Sequence, residues 1–134
     1  MTSALSFHTV LAIASGGALG AVGRHYAATA VMRWAGGSFP MGTLCVNVLG
    51  SAAMGLIAGL LIGSLEAGPA LRGFLTVGLL GGFTTFSTFS LETLLLLERH
   101  QYALGAFYAL ASVLLCVGAA LAGLVAARAL AGAG

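Results

Sequence analysis

Between residues 81 and 90 the chain reads Gly-Gly-Phe-Thr-Thr-Phe-Ser-Thr-Phe-Ser, two glycines joined to five hydroxyl side chains and three phenyl rings inside a long apolar stretch. A glycine pair weakens helix continuity and β-branched threonines add little helix propensity, so the sequence predicts a helix that breaks near residues 81–85. In lipid, such a break frees main-chain groups that must be buried or bind ions. Freed carbonyls suit a hard cation. The N–H groups and positive dipole end of the half-helix that follows suit an anion. Phe83, Phe86 and Phe89 recur every three residues and are expected to share one face. Their ring edges carry partial positive charge that can face an anion, and plain aromatic packing is the competing reading.

Other polar groups follow helical spacing. Thr43, Asn47 and Ser51 are four residues apart, and Tyr108, Ser112 and Cys116 repeat the pattern, so each set occupies one helical face. Asn47 in hydrocarbon is costly unless its donors and acceptor find partners, which either an interhelical hydrogen bond or a pore lining supplies. Arg24 and Glu92 are the candidate intramembrane charges; pairing with each other, or a place near the interface, is the structural alternative to a functional role. His8, His25 and His100 show no metal-ligand spacing. No nucleophile–base constellation and no phosphate loop is recognisable, which points away from an enzyme.

The elements that must position these groups are membrane helices. Of 134 residues 60% are hydrophobic and 6% charged, too little polar surface for a water-soluble domain. A span takes about 20 apolar residues, so the length supplies about four. The expected helices cover about residues 5–33, 40–65, 71–97 and 102–130, forming a single transmembrane domain with Leu5, Leu65 and Glu66 near the outer ends. Both prolines, Pro40 and Pro69, fall at segment entrances, where a missing N–H costs nothing. Runs such as Leu94 to Leu97 do not alternate as a membrane barrel requires. Gly16 and Gly20, and Gly55, Gly59 and Gly63, have the four-residue spacing that lets helices approach closely. Cys45 and Cys116 read as small hydrophobes. The start of the chain has no basic residue before its first apolar run, unlike a cleaved signal.

The net charge of +2 is spread thinly, which argues against nucleic-acid binding. Placed on alternate sides, the loops set Arg72 and Arg128 against Arg33 and Arg99. With Arg24 added, the balance is two against three at most. Orientation is normally set by a Lys and Arg excess, so this chain has almost no instruction to insert one way. The expectation is an antiparallel dual-topology homodimer, a pair related by a two-fold axis in the membrane plane.

Three stretches carry a family resemblance: GGALGAVGRHY from Gly16, PMGTLCVNVLGS from Pro40 and GLLGGFTTFSTFSLE from Gly78. Over nearly its whole length the chain resembles the CrcB/Fluc family of fluoride channels. The resemblance implies an all-α protein of a bacterial inner membrane, with four transmembrane helices and a broken third helix. It implies a dual-topology homodimer with two fluoride pores and one structural sodium ion at its centre. By motif position, Asn47, Phe86 and Phe89 would line the pores, and Thr43, Ser87, Thr88, Tyr108 and Ser112 would extend a polar track. Arg24 and Glu92 would set the electrostatics. The main-chain carbonyls of Gly81 and Thr84 from both subunits would hold the sodium. Cys116 stands where a hydroxyl is expected to continue the track.

The chemistry agrees with that reading, because fluoride leaves water only if dense donors replace its shell. A small dual-topology proton-coupled multidrug exporter is the main rival. It would need an acidic residue in the first span, and that segment has none. A lipid-packing scaffold would have no reason to retain hydroxyls and Asn47 within the membrane.

Overall fold

The computed structural model describes residues 6–63 and 67–132, so Leu5, Leu65 and Glu66 lie outside the described residues, as does the packing expected of Gly63. Among the described residues every regular element is helical. Helix α1, Phe7–Ala35, starts at Ser6, whose hydroxyl accepts the Thr9 N–H at 3.2 Å. It stops at Gly36 and Gly37, with φ of +64° and +78°, a left-handed turn open to glycine at little cost. Helix α2 runs Met41–Gly63 directly after Pro40.

The third segment is compound. Pro69 opens the short α3, Pro69–Arg72, which widens into a π-helical stretch, Gly73–Leu80, and returns to α-helix in α4, Gly81–Phe83. The chain then goes extended at Thr84 (φ −84°, ψ 159°) and Thr85 (φ −152°, ψ 116°) before α5, Phe86–Glu98. Residues 99–101 turn the chain, with His100 at φ +59°, into α6, Tyr102–Gly132.

The break therefore falls on the two threonines and not on the glycine pair, which stays helical. The reason is packing. A Cβ on Gly82 would meet the Gly17 carbonyl oxygen at 2.7 Å, and one on Gly78 would meet that of Ile13 at 2.6 Å. Glycines here let the third segment lie against α1; they do not interrupt it. Gly16 and Gly20 complete the contact from the other side, where added Cβ atoms would strike Phe74 and Leu79 backbone oxygens. Helices α2 and α6 pair in the same manner, Gly55 against the Ala120 carbonyl and Gly123 against that of Ala52.

Among the described residues, three helices are long and apolar enough to cross a membrane: Met41–Leu61, Pro69–Glu98 and Tyr102–Gly132, with mean hydropathies of 2.0, 1.4 and 2.4. Helix α1 has 29 residues but carries His8, Thr9, Ser15, Arg24 and His25 along its length. The long apolar side chains of α6, among them Leu114, Leu121 and Leu130, point outward, as lipid-solvated helices allow. The buried centre is small, built on Leu44, Leu96 and the fully enclosed Tyr108.

Candidate functional site

Extending two residues within a membrane segment leaves main-chain groups without helical partners, and α2 supplies one for Thr85. The Thr85 N–H donates to Asn47 Oδ1 at 2.8 Å, and the Thr85 carbonyl accepts from Asn47 Nδ2 at 3.0 Å. These reciprocal bonds fix the orientation of the amide and leave one Nδ2 hydrogen over. Thr85 then caps α5: its buried hydroxyl accepts the Thr88 N–H at 3.2 Å and donates to Thr88 Oγ1 at 3.0 Å, with Ser87 Oγ 3.2 Å away. One residue earlier, the Thr84 carbonyl accepts from Arg24 Nη1 at 3.0 Å.

One turn along α5 sits Glu92. Thr43 donates to its Oε1 at 2.8 Å and Tyr108 to its Oε2 at 2.7 Å, so donors from α2 and α6 both end on this carboxyl group. Arg24 and Glu92 consequently do not pair with each other; the break takes the first and the hydroxyls take the second. Ser112, one turn beyond Tyr108, is 6% exposed, and its Oγ has no hydrogen-bond partner among the described residues.

The rings divide at the break. Phe86 and Phe89 lie 5.3 Å apart between centroids, Phe89 lies 5.4 Å from Tyr108, and Tyr108 makes an edge contact with Phe39 at 5.5 Å. Phe83 is not part of this row. The extended threonines turn it away from the face of α5, and it packs by Gly23 of α1 and Gly50 of α2. The three-residue stripe expected over Phe83, Phe86 and Phe89 fails because it assumed one continuous helix.

Two recesses flank the junction of Asn47 and Thr85. One, of about 600 Å³, has Thr43, Thr88 and Glu92 on its wall. The other, of about 380 Å³, is lined by Asn47, Ser51, Phe86, Phe89, Ser112 and Cys116 among others. The structure thus gathers Asn47, Phe86, Phe89, Ser112 and Cys116 on one side and Thr43, Thr88 and Glu92 on the other. Ser87 stands exposed at the rim of α5. Sequence reasoning left two participants out of the site. Thr85 is the residue both Asn47 and the α5 cap depend on, and a hydroxyl immediately before a resumed helix is the signal that marks it. Phe39 extends the ring row, and nothing in its sequence context marks it.

A hard cation could use two groups here. The Gly81 carbonyl would ordinarily accept the Thr85 N–H four residues on, but that N–H is given to Asn47. The Thr84 carbonyl, holding Arg24, keeps a second lone pair. Both are oxygen donors of the type that suits an alkali cation, and two from one chain are too few to enclose one, so the residues fit sodium only where another copy doubles them.

A helix interrupted inside a multi-pass membrane protein, with amide, hydroxyls and ring edges gathered at the interruption, is the build of a transport protein that handles a small ion. A profile of the family described as CrcB-like protein, camphor resistance (CrcB), matches residues 11–124, and the chain belongs to the CrcB family. It is 50% identical over 119 residues to a protein of Rhodospirillum centenum named fluoride-specific ion channel FluC, covering 89% of this chain and 94% of that one. Proteins of the same name from Nitrobacter winogradskyi and Magnetococcus marinus are 49% and 52% identical over 115 and 116 residues. These cover 86% and 87% of this chain, and 91% and 94% of theirs.

Proposed function

We propose that this protein is a fluoride-selective channel that passively exports fluoride and lowers its concentration in the cytoplasm. The observation that carries the reading is the smaller recess. It brings together the Phe86 and Phe89 rings, Asn47 with a donor to spare, and the Ser112 hydroxyl, buried without a partner. A buried hydroxyl left unmade costs about 1–3 kcal/mol, and Ser112 is placed to turn its proton toward an acceptor in the recess it lines. Fluoride, the most strongly hydrated halide, needs donors in quick succession to replace its water. Ring edges assist without the strong hold a cationic ligand would exert, so the ion keeps moving.

In this proposal Ser87, Thr88 and Ser112 donate to the ion on either side of Asn47, Thr43 and Tyr108 join them by turning their hydroxyl protons from Glu92 to the ion, and Phe86 and Phe89 bound the path. Glu92 keeps Thr43 and Tyr108 oriented; Arg24 steadies the break through Thr84. Helix α1 is the fourth span, and the working unit is an antiparallel homodimer in a bacterial inner membrane with two pores. The near-even placing of arginines supports this. A sodium ion held by the Gly81 and Thr84 carbonyls of both copies would supply positive charge at the centre and tie the two breaks together. Hydrogen fluoride, a weak acid, crosses lipid uncharged and ionises inside. The membrane potential, worth about 2.3 kcal/mol per charge for each 100 mV, then drives the anion out.

Purified protein in vesicles tests this. Fluoride-loaded vesicles are expected to release fluoride and retain chloride. Electroneutral exchange of cationic drugs for protons, with no fluoride release, would replace this reading by the exporter.

A further inference from the structure

The path proposed above starts at Thr43 and Glu92, but the recess containing them extends further out, to two arginines. Arg33 stands in the last turn of α1 and Arg99 directly follows α5, and both line the same recess of about 600 Å³ that reaches down to Thr43, Thr88 and Glu92. Both are exposed, and among the described residues neither forms an ion pair. Glu92, the one carboxyl group on that wall, already takes a hydroxyl on each oxygen. Two cations therefore face one carboxyl in a pocket whose remaining walls are largely helix and apolar side chains. The smaller recess has no Asp, Glu, Lys, Arg or His on its lining. The charge sits at one end of the chain's path and not at the other.

We propose that Arg33 and Arg99 form a cationic mouth that captures fluoride from water and sets how fast it reaches the Thr43 and Thr88 hydroxyls. The inference rests on the fluoride-channel reading and adds to it a rate-setting pair that does not touch the break. Charges in a cleft with low-dielectric walls focus their field and raise the local concentration and arrival rate of a counter-ion by about ten-fold or more. Because the guanidinium groups are exposed and hydrated, they attract over distance without holding the ion, so capture does not become trapping. The same exposure makes the attraction sensitive to salt: the screening length falls from about 30 Å at 0.01 M to about 3 Å at 1 M. Since neither arginine bonds to Asn47, Thr85 or the rings, the choice of fluoride over chloride is left to the groups beyond. In an antiparallel pair the two mouths would open on opposite faces of the membrane.

The test uses the full chain in vesicles of neutral phosphatidylcholine, with fluoride kept below saturation and ionic strength varied on both sides with an impermeant salt. Wild-type release is expected to slow several-fold as salt rises. The double variant Arg33→Gln, Arg99→Gln is expected to be about ten-fold slower at low salt, nearly flat across the series, and level with wild type at high salt. Its fluoride preference is expected to be unchanged. The double variant Arg33→Lys, Arg99→Lys, which keeps the charge, is expected to keep the wild-type slope. A Gln variant with the wild-type slope overturns the inference, as does a Lys variant impaired as much as the Gln variant at every salt concentration, since position and not charge would then matter. Wild-type vesicles that release no fluoride at any salt concentration would remove the channel reading itself, and this inference with it.

Discussion

Asn47 and Thr85 are joined by a two-bond ring across 38 residues of sequence, the amide of one accepting from and donating to the peptide groups of the other at 2.8 and 3.0 Å. This ring makes the break in the third segment tolerable in lipid. It also ties the break to α2, so that the donor left over on Asn47 is held beside Phe86 and Phe89.

Replacing Asn47 separates the two roles. Asn47→Asp keeps an oxygen for the Thr85 N–H but sets a second oxygen against the Thr85 carbonyl and a negative charge beside the ion path. At about 1–3 kcal/mol for one lost and opposed hydrogen bond, release is expected to fall at least about ten-fold. Asn47→Ala strands both Thr85 groups and is expected to lower the unfolding midpoint in detergent as well. Fluoride-electrode traces and thermal unfolding of the same preparations check both outcomes.

Ser112 makes a prediction in which stability and transport move in opposite directions. Its Oγ is buried and has no partner among the described residues, so Ser112→Ala removes an unmet group at little loss of volume. The variant is expected to be as stable as wild type or more so, while fluoride release slows. A hydroxyl retained for structure alone would show the reverse, lower stability with unchanged release.

The carboxyl of Glu92 is held from two helices, and the two donors should therefore be coupled. Thr43→Val and Tyr108→Phe each remove one hydrogen bond and are expected to cost about 1–3 kcal/mol singly. Because both end on the same group, the pair is expected to depart from additivity by about 0.5–3 kcal/mol. A double-mutant cycle in denaturant measures this, and strict additivity would mean that Glu92 does not link α2 to α6.

How far these relationships could be read from the chain depends on distance along it. Groups repeating within one helix were legible in part: Asn47 with Ser51, and Ser112 with Cys116, do line one recess, whereas Thr43 lines the other. That the third segment is interrupted was legible too, from a concentration of glycine and hydroxyl residues. Its place was legible to within the expected residues 81–85, but which of those residues open was not, because glycine has two uses and composition does not distinguish them. Gly82 is spent on contact with Gly17, and the chain opens where Asn47 and the Thr85 cap can take up the freed groups. Phe83 went astray for the same reason, since its spacing from Phe86 has helical meaning only if no extended residue intervenes. Bonds that cross between segments, Arg24 to Thr84 and Tyr108 to Glu92, leave no periodic signal at all.

Glycine contacts in α2 and α6 give a paired comparison. A Cβ on Gly55 would run into the backbone carbonyl of Ala120, which cannot swing aside, whereas one on Gly118 meets nothing within 4 Å. Gly55→Ala is expected to separate α2 from α6 and lower stability by several-fold more than any gain in helix propensity, which is about 1 kcal/mol. Gly118→Ala, with the propensity gain and no clash, is expected to be neutral or slightly stabilising. Unfolding midpoints of the two variants in one detergent check the difference.

Phe86 is 77% exposed in the single chain, yet it stacks on Phe89 at the edge of the smaller recess. So exposed a ring contributes little to packing within the chain, and its removal should leave the helices intact. Phe86→Ile preserves apolar bulk while deleting the electropositive ring edge, the one property of this side chain that an anion can use. Release of fluoride is expected to drop by about ten-fold or more, with the far-ultraviolet spectrum and unfolding midpoint unchanged. The contrast with Phe83→Ile sharpens the test. Phe83 packs by Gly23 and Gly50 away from the row of rings, so that substitution is expected to act on stability before it acts on the ion. Equal slowing by both substitutions would mean that the phenyl groups matter as packing, and that the break has placed neither of them on the path.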